Sequence, residues 1–169
     1  MYQKLQVGRG LNIAPSDTID IPNPAAQALS GTSMGSAVDD KLVDDTNEPF
    51  ITSGVAVGDI VYNTSVALTP TVATVTAIDN GRQLSLSANI FPASGGNGKT
   101  YRIFRANEND GCVLYVGAGA EMRVLTAGGD VVNLNAVPNG SYVPIQVKRV
   151  YATIDGSTAT NAAAIVALW

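Results

Sequence analysis

Residues 71–87, TVATVTAIDNGRQLSLS, decide the fold class. Thr and Val dominate the first half, and their β-branched side chains suit a pleated, partly buried strand. Asn80-Gly81 then separates two runs of strand-forming residues, and this dipeptide is typical of a type I′ turn, whose two central residues have positive φ. The sequence therefore predicts an antiparallel β-hairpin over these residues.

The same alternation of strand-like runs and turn residues continues along the chain, as in GDIVYNT, TYRIF, CVLYVGAG, EMRVLTAGG, DVVNLNAVPNG, SYVPIQVKRVYAT and AAAIVALW. Turn residues recur about every ten positions, which is the spacing found in sandwiches and barrels. Only two stretches favour a helix. PAAQALSG predicts a short helical turn that begins at Pro24, and TNAAAIVALW fits either a helix or a terminal strand. We therefore expect an all-β fold with a β-sandwich or jelly-roll-like core.

Two polar stretches indicate the boundaries of an inserted lobe. Residues 30–48 read SGTSMGSAVDDKLVDDTNE, and residues 105–111 read RANENDG. The sequence thus predicts a β-sandwich core domain built from residues 1–35 and 107–169. A small antiparallel β-barrel or hairpin lobe, residues 36–106, interrupts it.

The composition excludes several classes of function. Hydrophobic residues make up 46% of the chain and charged residues only 14%, against about a quarter in typical soluble domains. With ten basic residues and a net charge of −4, the chain has no basic stripe for nucleic acid. No apolar run approaches the ~18 residues of a membrane span. The N-terminal residues lack the apolar segment of a secretory signal, so we expect a protein that is not exported by that route.

The chain contains no histidine, which removes the commonest general base and the commonest metal ligand. Its single cysteine, Cys112, excludes an internal disulfide and any multi-cysteine metal site. Cys112 lies among strand-forming residues, and we interpret it as a small buried hydrophobic residue. We expect neither catalytic residues nor a cofactor or metal site.

Residues 93–100, ASGGNGKT, match a relaxed form of the phosphate-binding P-loop. A P-loop needs a preceding strand and a following helix, so that backbone N–H groups and the helix N-terminus converge on the phosphates. TYRIF follows instead, and no helix of ten or more residues comes after it. We therefore interpret ASGGNGKT as an exposed loop between two strands, rich in glycine for positive φ.

Two further motifs resemble catalytic or cofactor sites. GTSMGS, residues 31–36, is similar to the surroundings of the nucleophilic serine of subtilisin-like proteases, but Ser33 has no histidine to accept its proton. Nothing pairs Lys41 with it as an alternative base, so we interpret this stretch as a flexible linker. YVGAGAEM places Gly117 and Gly119 as in a dinucleotide fingerprint but lacks the third glycine. A turn between antiparallel strands is the better interpretation.

Five carboxylates cluster between residues 39 and 48. Their spacing lacks the order of a calcium loop, so we interpret them as solvated charges. A pair of carboxylates distant in sequence could still serve glycoside hydrolysis. That alternative ranks low, because Trp169 is the only tryptophan and aromatic residues make up 6% of the chain. The cluster consists of Asp39, Asp40, Asp44, Asp45 and Glu48.

Two segments carry a family resemblance. Residues 12–22, NIAPSDTIDIP, and residues 112–169 resemble the spike-base proteins on the heads of gene transfer agents and tailed phages. That family has a P-S-D-T element near the N-terminus and a closing pattern of short strand motifs. The matching positions are residues 15–18 (PSDT), 114–117 (LYVG), 128–129 (GG), 143–144 (VP), 149–150 (RV), 152–153 (AT) and 165–168 (IVAL). Residues 36–106 depart from the pattern and are similar to small β-modules of phage virion proteins.

The resemblance implies a bacteriophage virion structural protein without catalytic residues. Such a protein, a capsid decoration (cement) protein or a head-spike base, is made in the cytoplasm of a bacterial host. It then binds the major capsid protein as a homo-oligomer, a trimer or pentamer, and stabilises the head or anchors a spike or fibre protein. We expect residues 2–24, too irregular for a core, to make inter-subunit or capsid contacts. The alternatives are a tail or fibre component that contacts the host and a carboxylate-dependent glycan hydrolase.

Overall fold

A computed structural model describes residues 7–66 and 70–169. These residues form twelve strands, one short helix and one 3₁₀ turn, and every strand pair is antiparallel, so the all-β fold class is confirmed. The strands are β1 (Gly10–Asn12), β2 (Gln27–Thr32), β3 (Lys41–Val43), β4 (Ile60–Asn63), β5 (Thr71–Asn80), β6 (Gln83–Leu86), β7 (Thr100–Phe104), β8 (Cys112–Ala118), β9 (Met122–Thr126), β10 (Val131–Leu134), β11 (Ser141–Val150) and β12 (Ala163–Leu168). The helix α1 spans Pro49–Thr52 and the 3₁₀ turn spans Pro24–Ala26.

The chain divides into two compact units. The discontinuous unit combines the chain up to Pro24 with Asn109–Trp169, and the inserted unit is Ala25–Glu108. Both boundaries differ from those expected from composition. Residues 25–35 were expected in the core domain but lie in the inserted unit. They belong to the inserted unit because β2 pairs with β7 and the Arg105 N–H donates to the Ala26 carbonyl at 3.0 Å. The sequence did not predict β2, because its residues are divided between the PAAQALSG stretch and the polar stretch of residues 30–48.

The discontinuous unit contains one sheet in the order β1-β12-β8-β11-β9-β10. Alternate residues of its strands point to one side, where they form an apolar core. On β8 these are Cys112, Leu114 and Val116, all buried. The terminal stretch AAAIVALW is strand β12, which contributes Ile165 and Ala167 to the same core, so the strand alternative holds for this stretch.

The N-terminal segment also belongs to this core, contrary to the expectation that it was too irregular. Leu11 lies on β1, which pairs with β12, and it is 5% exposed. Ile13 and Ile21 pack into the core cluster of the discontinuous unit, although they belong to no strand. Irregular backbone can still bury side chains when its N–H groups find partners, as the Ile21 N–H does at the Lys148 carbonyl, 2.8 Å away. The part of the expectation that concerns residues 2–6 lies outside the described residues.

The inserted unit is a small β-barrel. Its strands follow the order β2-β7-β4-β5-β6-β3, and β5 pairs with β4 over its first half and with β6 over its second. Register shifts in β5 let the sheet bend at that point. Directly after β2, Met34 bridges to Val43 on β3, with its N–H 2.7 Å from the Val43 carbonyl, and this contact closes the ring of pairings. The enclosed core includes Leu42, Phe50 and Ile103.

The predicted hairpin is present as β5 and β6, but its turn is not of type I′. The turn residues are Gly81 and Arg82, and neither Asn80 nor Gly81 has positive φ. Asn80 instead accepts the Arg82 N–H through its side-chain oxygen at 2.8 Å, which is the local bonding expected of an asparagine at a turn. Gly81 is required for space, because a Cβ there would lie 2.7 Å from the Glu48 Cβ.

The expected helical turn at residues 24–31 is present only as the 3₁₀ turn that begins at Pro24. β2 follows it immediately. Among the described residues, no helix has the length and apolar character that crossing a membrane requires.

Candidate functional site

The serine motif and the glycine-rich loop meet in the inserted unit. Ser33 is 1% exposed, and its hydroxyl donates to the Gly96 carbonyl while it accepts the Lys99 N–H at 3.1 Å. The backbone repeats the link, because the Ser33 N–H donates to the Lys99 carbonyl and the Gly98 N–H to the Ser33 carbonyl, both at 2.8 Å. The flexible-linker interpretation of GTSMGS is therefore wrong. Ser33 is a buried anchor for the loop, and its hydroxyl is already committed as donor and acceptor.

Other backbone N–H groups of ASGGNGKT also donate hydrogen bonds to acceptors within the inserted unit. Ala93 N–H donates to the Asp39 carboxylate at 2.9 Å, Gly96 N–H to the Pro92 carbonyl at 2.8 Å, and Thr100 N–H to the Ser65 hydroxyl at 3.0 Å. The loop connects β6 to β7, as predicted, and a strand follows it where a P-loop has a helix. These N–H groups do not converge on a point where a phosphate would sit.

The acidic cluster is dispersed among separate partners. Asp44 is 4% exposed, so the solvated interpretation is wrong for this residue. Its carboxylate accepts the Tyr101 hydroxyl at 2.6 Å and the Thr46 N–H at 2.9 Å. Burial, with a smaller contribution from Asp44 as acceptor, raises the pKa of Tyr101 well above its usual range. Across residues 7–66 and 70–169, no group of three or more His, Cys, Asp or Glu side chains is placed to share a metal ion.

The two glycines of YVGAGAEM serve close packing. They lie at the end of β8 and in the turn to β9, as expected of a connection between strands. A Cβ at Gly119 would lie 1.9 Å from the Val137 carbonyl oxygen, and one at Gly117 would lie 3.0 Å from the Ala164 Cβ. The neighbouring backbone therefore occupies the space in which a dinucleotide fingerprint would receive its ligand.

Cys112 is buried at the start of β8, as interpreted from the sequence. Its sulfur lies 3.2 Å from the Val147 carbonyl. Burial raises the pKa of this thiol from 9.0 to about 12, so it remains protonated and unreactive near neutral pH.

The two segments that carry the family resemblance come together in the discontinuous unit. The Asp17 carboxylate accepts both the N–H and the hydroxyl of Thr153, at 3.0 and 3.1 Å. Arg149 forms an ion pair with Asp20 at 2.7 Å and donates to the Asp17 carbonyl at 3.0 Å. The Ser16 N–H donates to the backbone at the end of β11. The P-S-D-T element and the R-V-x-A-T element are thus the two halves of one structural joint.

A stack of side chains lies beside this joint. The Arg123 guanidinium lies 4.8 Å from the centre of the Tyr151 ring, and that of Arg149 lies 5.7 Å from it. Such cation–π contacts fix the orientation of long side chains. A shallow surface cavity of about 590 Å³, widely open to solvent, adjoins the stack and is lined by Arg123, Val131, Asn133, Ile154 and Asp155.

Part of the outward side of the discontinuous sheet is uncharged. This part, the outer face, is formed by β1, β12, β8 and the first residues of β11, whereas the same side of β9 carries Arg123. Tyr142 on β11 is 61% exposed and pairs across the sheet with Tyr115 on β8, with ring centres 5.4 Å apart. Tyr115 in turn pairs with Val166 on β12. By register and strand alternation, the face comprises Gly10, Asn12, Val113, Tyr115, Gly117, Tyr142, Pro144, Ala164, Val166 and Leu168. None of these side chains carries a charge.

Sequence reasoning did not single out this outer face as a site. The only available signal was that the positions between the core residues of three strands are also apolar. In a sheet with one solvated face those positions are normally polar. These apolar positions can be recognised as one surface only when the strand order is known, because β8 and β12 are neighbours in the sheet but lie far apart in the chain.

No family model matches this chain, and neither curated proteins nor solved structures gave a match.

Proposed function

We propose that this chain is a bacteriophage virion structural protein, a capsid decoration protein or head-spike base, that acts by binding other proteins. The observation that carries the proposal is the uncharged outer face of the discontinuous sheet. In this proposal the face is covered by protein in the particle, either by other copies in a trimer or pentamer or by the major capsid protein. The protein would then stabilise the head or anchor a spike or fibre.

The composition of the outer face suits a protein interface. Charged residues are depleted from interface cores, whereas tyrosine is enriched there because it buries a large area at a low cost in side-chain entropy. The Tyr115–Tyr142 pair lies in a row that also contains Val166, so an aromatic anchor sits among aliphatic neighbours. Contiguous apolar surface of this kind on a soluble protein marks interaction sites more often than single exposed hydrophobic residues do.

The burial and hydrogen bonding of the candidate catalytic groups also support a binding function. Ser33 is buried with its hydroxyl bonded to the glycine-rich loop, and the Cys112 thiol has a raised pKa. The buried carboxylates Asp44 and Asp59 accept hydrogen bonds from Tyr101 and Arg105. Each group serves the packing of its own unit.

The resemblance to spike-base proteins supplies the particular partner. Its two segments meet in this chain through Asp17, Arg149 and Thr153, which gives the residues that carry the resemblance a common structural role here. The major capsid protein as partner and the capsid surface as location are taken from this resemblance.

The test places a charge in the outer face. Tyr142→Glu puts a carboxylate where an interface would have to desolvate it, and we expect the dissociation constant of the oligomer to rise by about tenfold or more. Native mass spectrometry of the purified chain at micromolar concentration measures this. Occupancy of the variant on particles purified from the producing bacterium measures capsid binding. The matched control is Val57→Glu in the inserted unit, where the side chain is 63% exposed and lies outside the face.

Three results would contradict the proposal. They are a purified wild-type chain that is monomeric and absent from particles, equal effects of the two glutamate variants, and a location in the tail. The last of these would favour the tail or fibre alternative. Release of glycan by the wild-type chain, lost on replacement of a single carboxylate, would favour the hydrolase.

A further inference from the structure

Strand β10 lies at one end of the discontinuous sheet and is exposed. Within the described residues it pairs only with β9, so its other edge has no strand partner. Val131 is 46% exposed and Asn133 is exposed as well. The strand reads VVNL, with no proline, no bulge and no charged residue. Proteins usually protect a free edge with such features, because unpaired backbone groups there bind other strands.

The register shows which backbone groups of β10 point outward. The Thr126 N–H donates to the Asp130 carbonyl at 2.9 Å, so this pair is of the hydrogen-bonded kind. Hydrogen-bonded and non-hydrogen-bonded pairs alternate along an antiparallel ladder. The pairs Val131–Leu125 and Asn133–Arg123 are therefore non-hydrogen-bonded. The N–H and C=O groups of Val131 and Asn133 consequently point away from β9, towards the free edge.

A cavity lies beside this edge, on the side of the sheet to which Val131 and Asn133 direct their side chains. Both residues line it, and so does Arg123, which pairs with Asn133 across the ladder and therefore shares its face. Ile154, which is 7% exposed, also lines the cavity and adds an apolar patch to its wall. An incoming strand would thus find backbone partners at the edge and, within one strand spacing, a recess for a side chain.

Arg123 determines which kind of ligand the cavity favours. The described residues contain three ion pairs, and Arg123 is in none of them. Its guanidinium is oriented by Tyr151, and that ring is in turn contacted by Arg149. A guanidinium that is positioned but lacks a carboxylate partner favours bidentate binding of an external carboxylate.

Asp155 also lines the cavity, but its carboxylate is already occupied. It accepts the N–H and hydroxyl groups of both Ser157 and Thr158, at 2.6 to 3.0 Å. These hydrogen bonds hold the pKa of Asp155 well below its usual range. The hydrogen-bonding capacity of the Asp155 carboxylate is therefore used within its own loop, whereas the Arg123 guanidinium remains a free donor in the cavity for a ligand that accepts hydrogen bonds.

We propose that β10 binds an extended segment of another protein by strand addition, with an acidic side chain of that segment bound to Arg123. The backbone of Val131 and Asn133 supplies the affinity that is independent of sequence, and the cavity supplies the selectivity. This edge is distinct from the uncharged outer face, so the inference stands whether or not the chain is a virion protein.

A peptide selection tests the proposal without knowledge of the partner. The purified full chain is immobilised and presented with a yeast-displayed library of random heptapeptides. We expect enriched peptides with one Asp or Glu at a fixed position among β-branched residues. Replacement of that residue by Gln or Asn in a synthetic peptide should weaken binding by about tenfold, the difference that a charge-assisted hydrogen bond makes. Arg123→Gln should weaken the acidic peptide similarly and leave its amide form unaffected, and Arg123→Lys should lie between.

The backbone part of the proposal has its own pair of variants. Val131→Pro removes an outward N–H without removing a bond to β9, and we expect about fivefold weaker binding from one lost backbone hydrogen bond. Val131→Thr keeps both the N–H and the β-branched shape, so its binding should stay within about twofold of wild type. The amide spectrum of each variant verifies that the sheet is intact.

Several outcomes would overturn the inference. One is a selection that enriches no peptide, or only peptides without a carboxylate. Equal binding of acidic and amide peptides would exclude Arg123 as the determinant. A wild-type chain that dimerises without peptide, and that Val131→Pro converts to a monomer, would assign the edge to a second copy of this chain instead.

Discussion

The two units of this chain use the same antiparallel strands in opposite ways. In the inserted unit the isolated Met34–Val43 bridge joins the residues after β2 to β3 and so closes the ring of pairings at this point. In the discontinuous unit the sheet stays open, with β1 and β10 at its ends and an uncharged outer face. The comparison teaches that a closing bridge, even a single one, occupies backbone groups between the two end strands, whereas no such bridge among the described residues joins β1 to β10. Both surfaces proposed for binding lie on the discontinuous unit.

The two units also differ in how many buried polar side chains they contain. Among the described residues, three of the four buried polar side chains lie in the inserted unit: Ser33, Asp44 and Asp59. Each is fully engaged, and Asp59 accepts from Arg105 at 3.0 Å and from the Ala56 N–H at 2.9 Å. A satisfied polar group rigidifies its surroundings, whereas loss of one partner leaves the other uncompensated. The barrel should thus be sensitive at its polar contacts, and the open sheet at its apolar core.

The largest effect is expected for Gly31→Ala in the barrel. A Cβ at this position would lie 2.6 Å from both the Tyr101 hydroxyl and the Asp44 carboxylate. Their buried hydrogen bond must break or shift, and we expect the free energy of unfolding to fall by about 3 kcal/mol or more. Urea titration, with hydrogen exchange of the β7 amides as the probe of the barrel, measures the loss.

Gly35→Ala is the matched control for this prediction. It lies in the same GTSMGS stretch, and its new Cβ would lie 3.5 Å from the nearest atom, the Asn97 Cβ, which is an ordinary contact. Its effect should stay within about 0.5 kcal/mol. If the two alanine variants were equally stable, the Asp44–Tyr101 contact would not limit the stability of the barrel.

A loss of stability of intermediate size is expected when the pH is raised, because each unit contains a buried group with a raised pKa. The pKa of Cys112 is raised from 9.0 to about 12, and that of Tyr101 is raised above 10.0. A raised pKa in the folded state gives stability that is complete below the unfolded pKa and is lost as the pH rises beyond it. At pH 10.5 the Cys112 contribution should have fallen by about 2 kcal/mol and that of Tyr101 by about 1 kcal/mol.

The variants Cys112→Val and Tyr101→Phe isolate the two contributions. The stability of wild type relative to each variant is measured by urea unfolding between pH 8 and pH 10.5, with Trp169 fluorescence as a probe of the discontinuous unit and far-ultraviolet circular dichroism as a probe of both units. Wild type should decline relative to Cys112→Val from about pH 9, and relative to Tyr101→Phe only from about pH 10. A difference that stays constant with pH would show that burial does not hold these groups neutral.

The smallest effect is expected for Lys99→Ala in the glycine-rich loop. The contacts of Lys99 with Ser33 run through its backbone N–H and carbonyl, which alanine keeps. Stability should change by less than about 0.5 kcal/mol. Calorimetry should detect no ATP binding to either wild type or the variant. The control, Ser33→Ala, removes both hydroxyl contacts and should cost about 1 to 2 kcal/mol. ATP binding that Lys99→Ala abolishes would restore the P-loop interpretation.

Local patterns in the sequence predicted the strands well, because alternation and turn residues are local signals. The hairpin at residues 71–87, the loop at residues 93–100 and the buried Cys112 are all present. The turn type at Asn80-Gly81 was wrong, because the space beside Glu48 requires Gly81 for contact rather than for positive φ. Ser33 was assigned to a flexible linker and Asp44 to solvent, because a polar run has no periodicity from which burial can be read.

The sequence by itself determined that the chain folds into antiparallel β-structure. Only the tertiary structure decided which strands are neighbours. It brought the P-S-D-T element onto Arg149 and Thr153, assembled the outer face from β8, β11 and β12, and left the edge of β10 free. The physical reason is that strand propensity is a property of adjacent residues. Surfaces, edges and buried hydrogen bonds arise from residues that are distant in the chain and meet only when the sheets form.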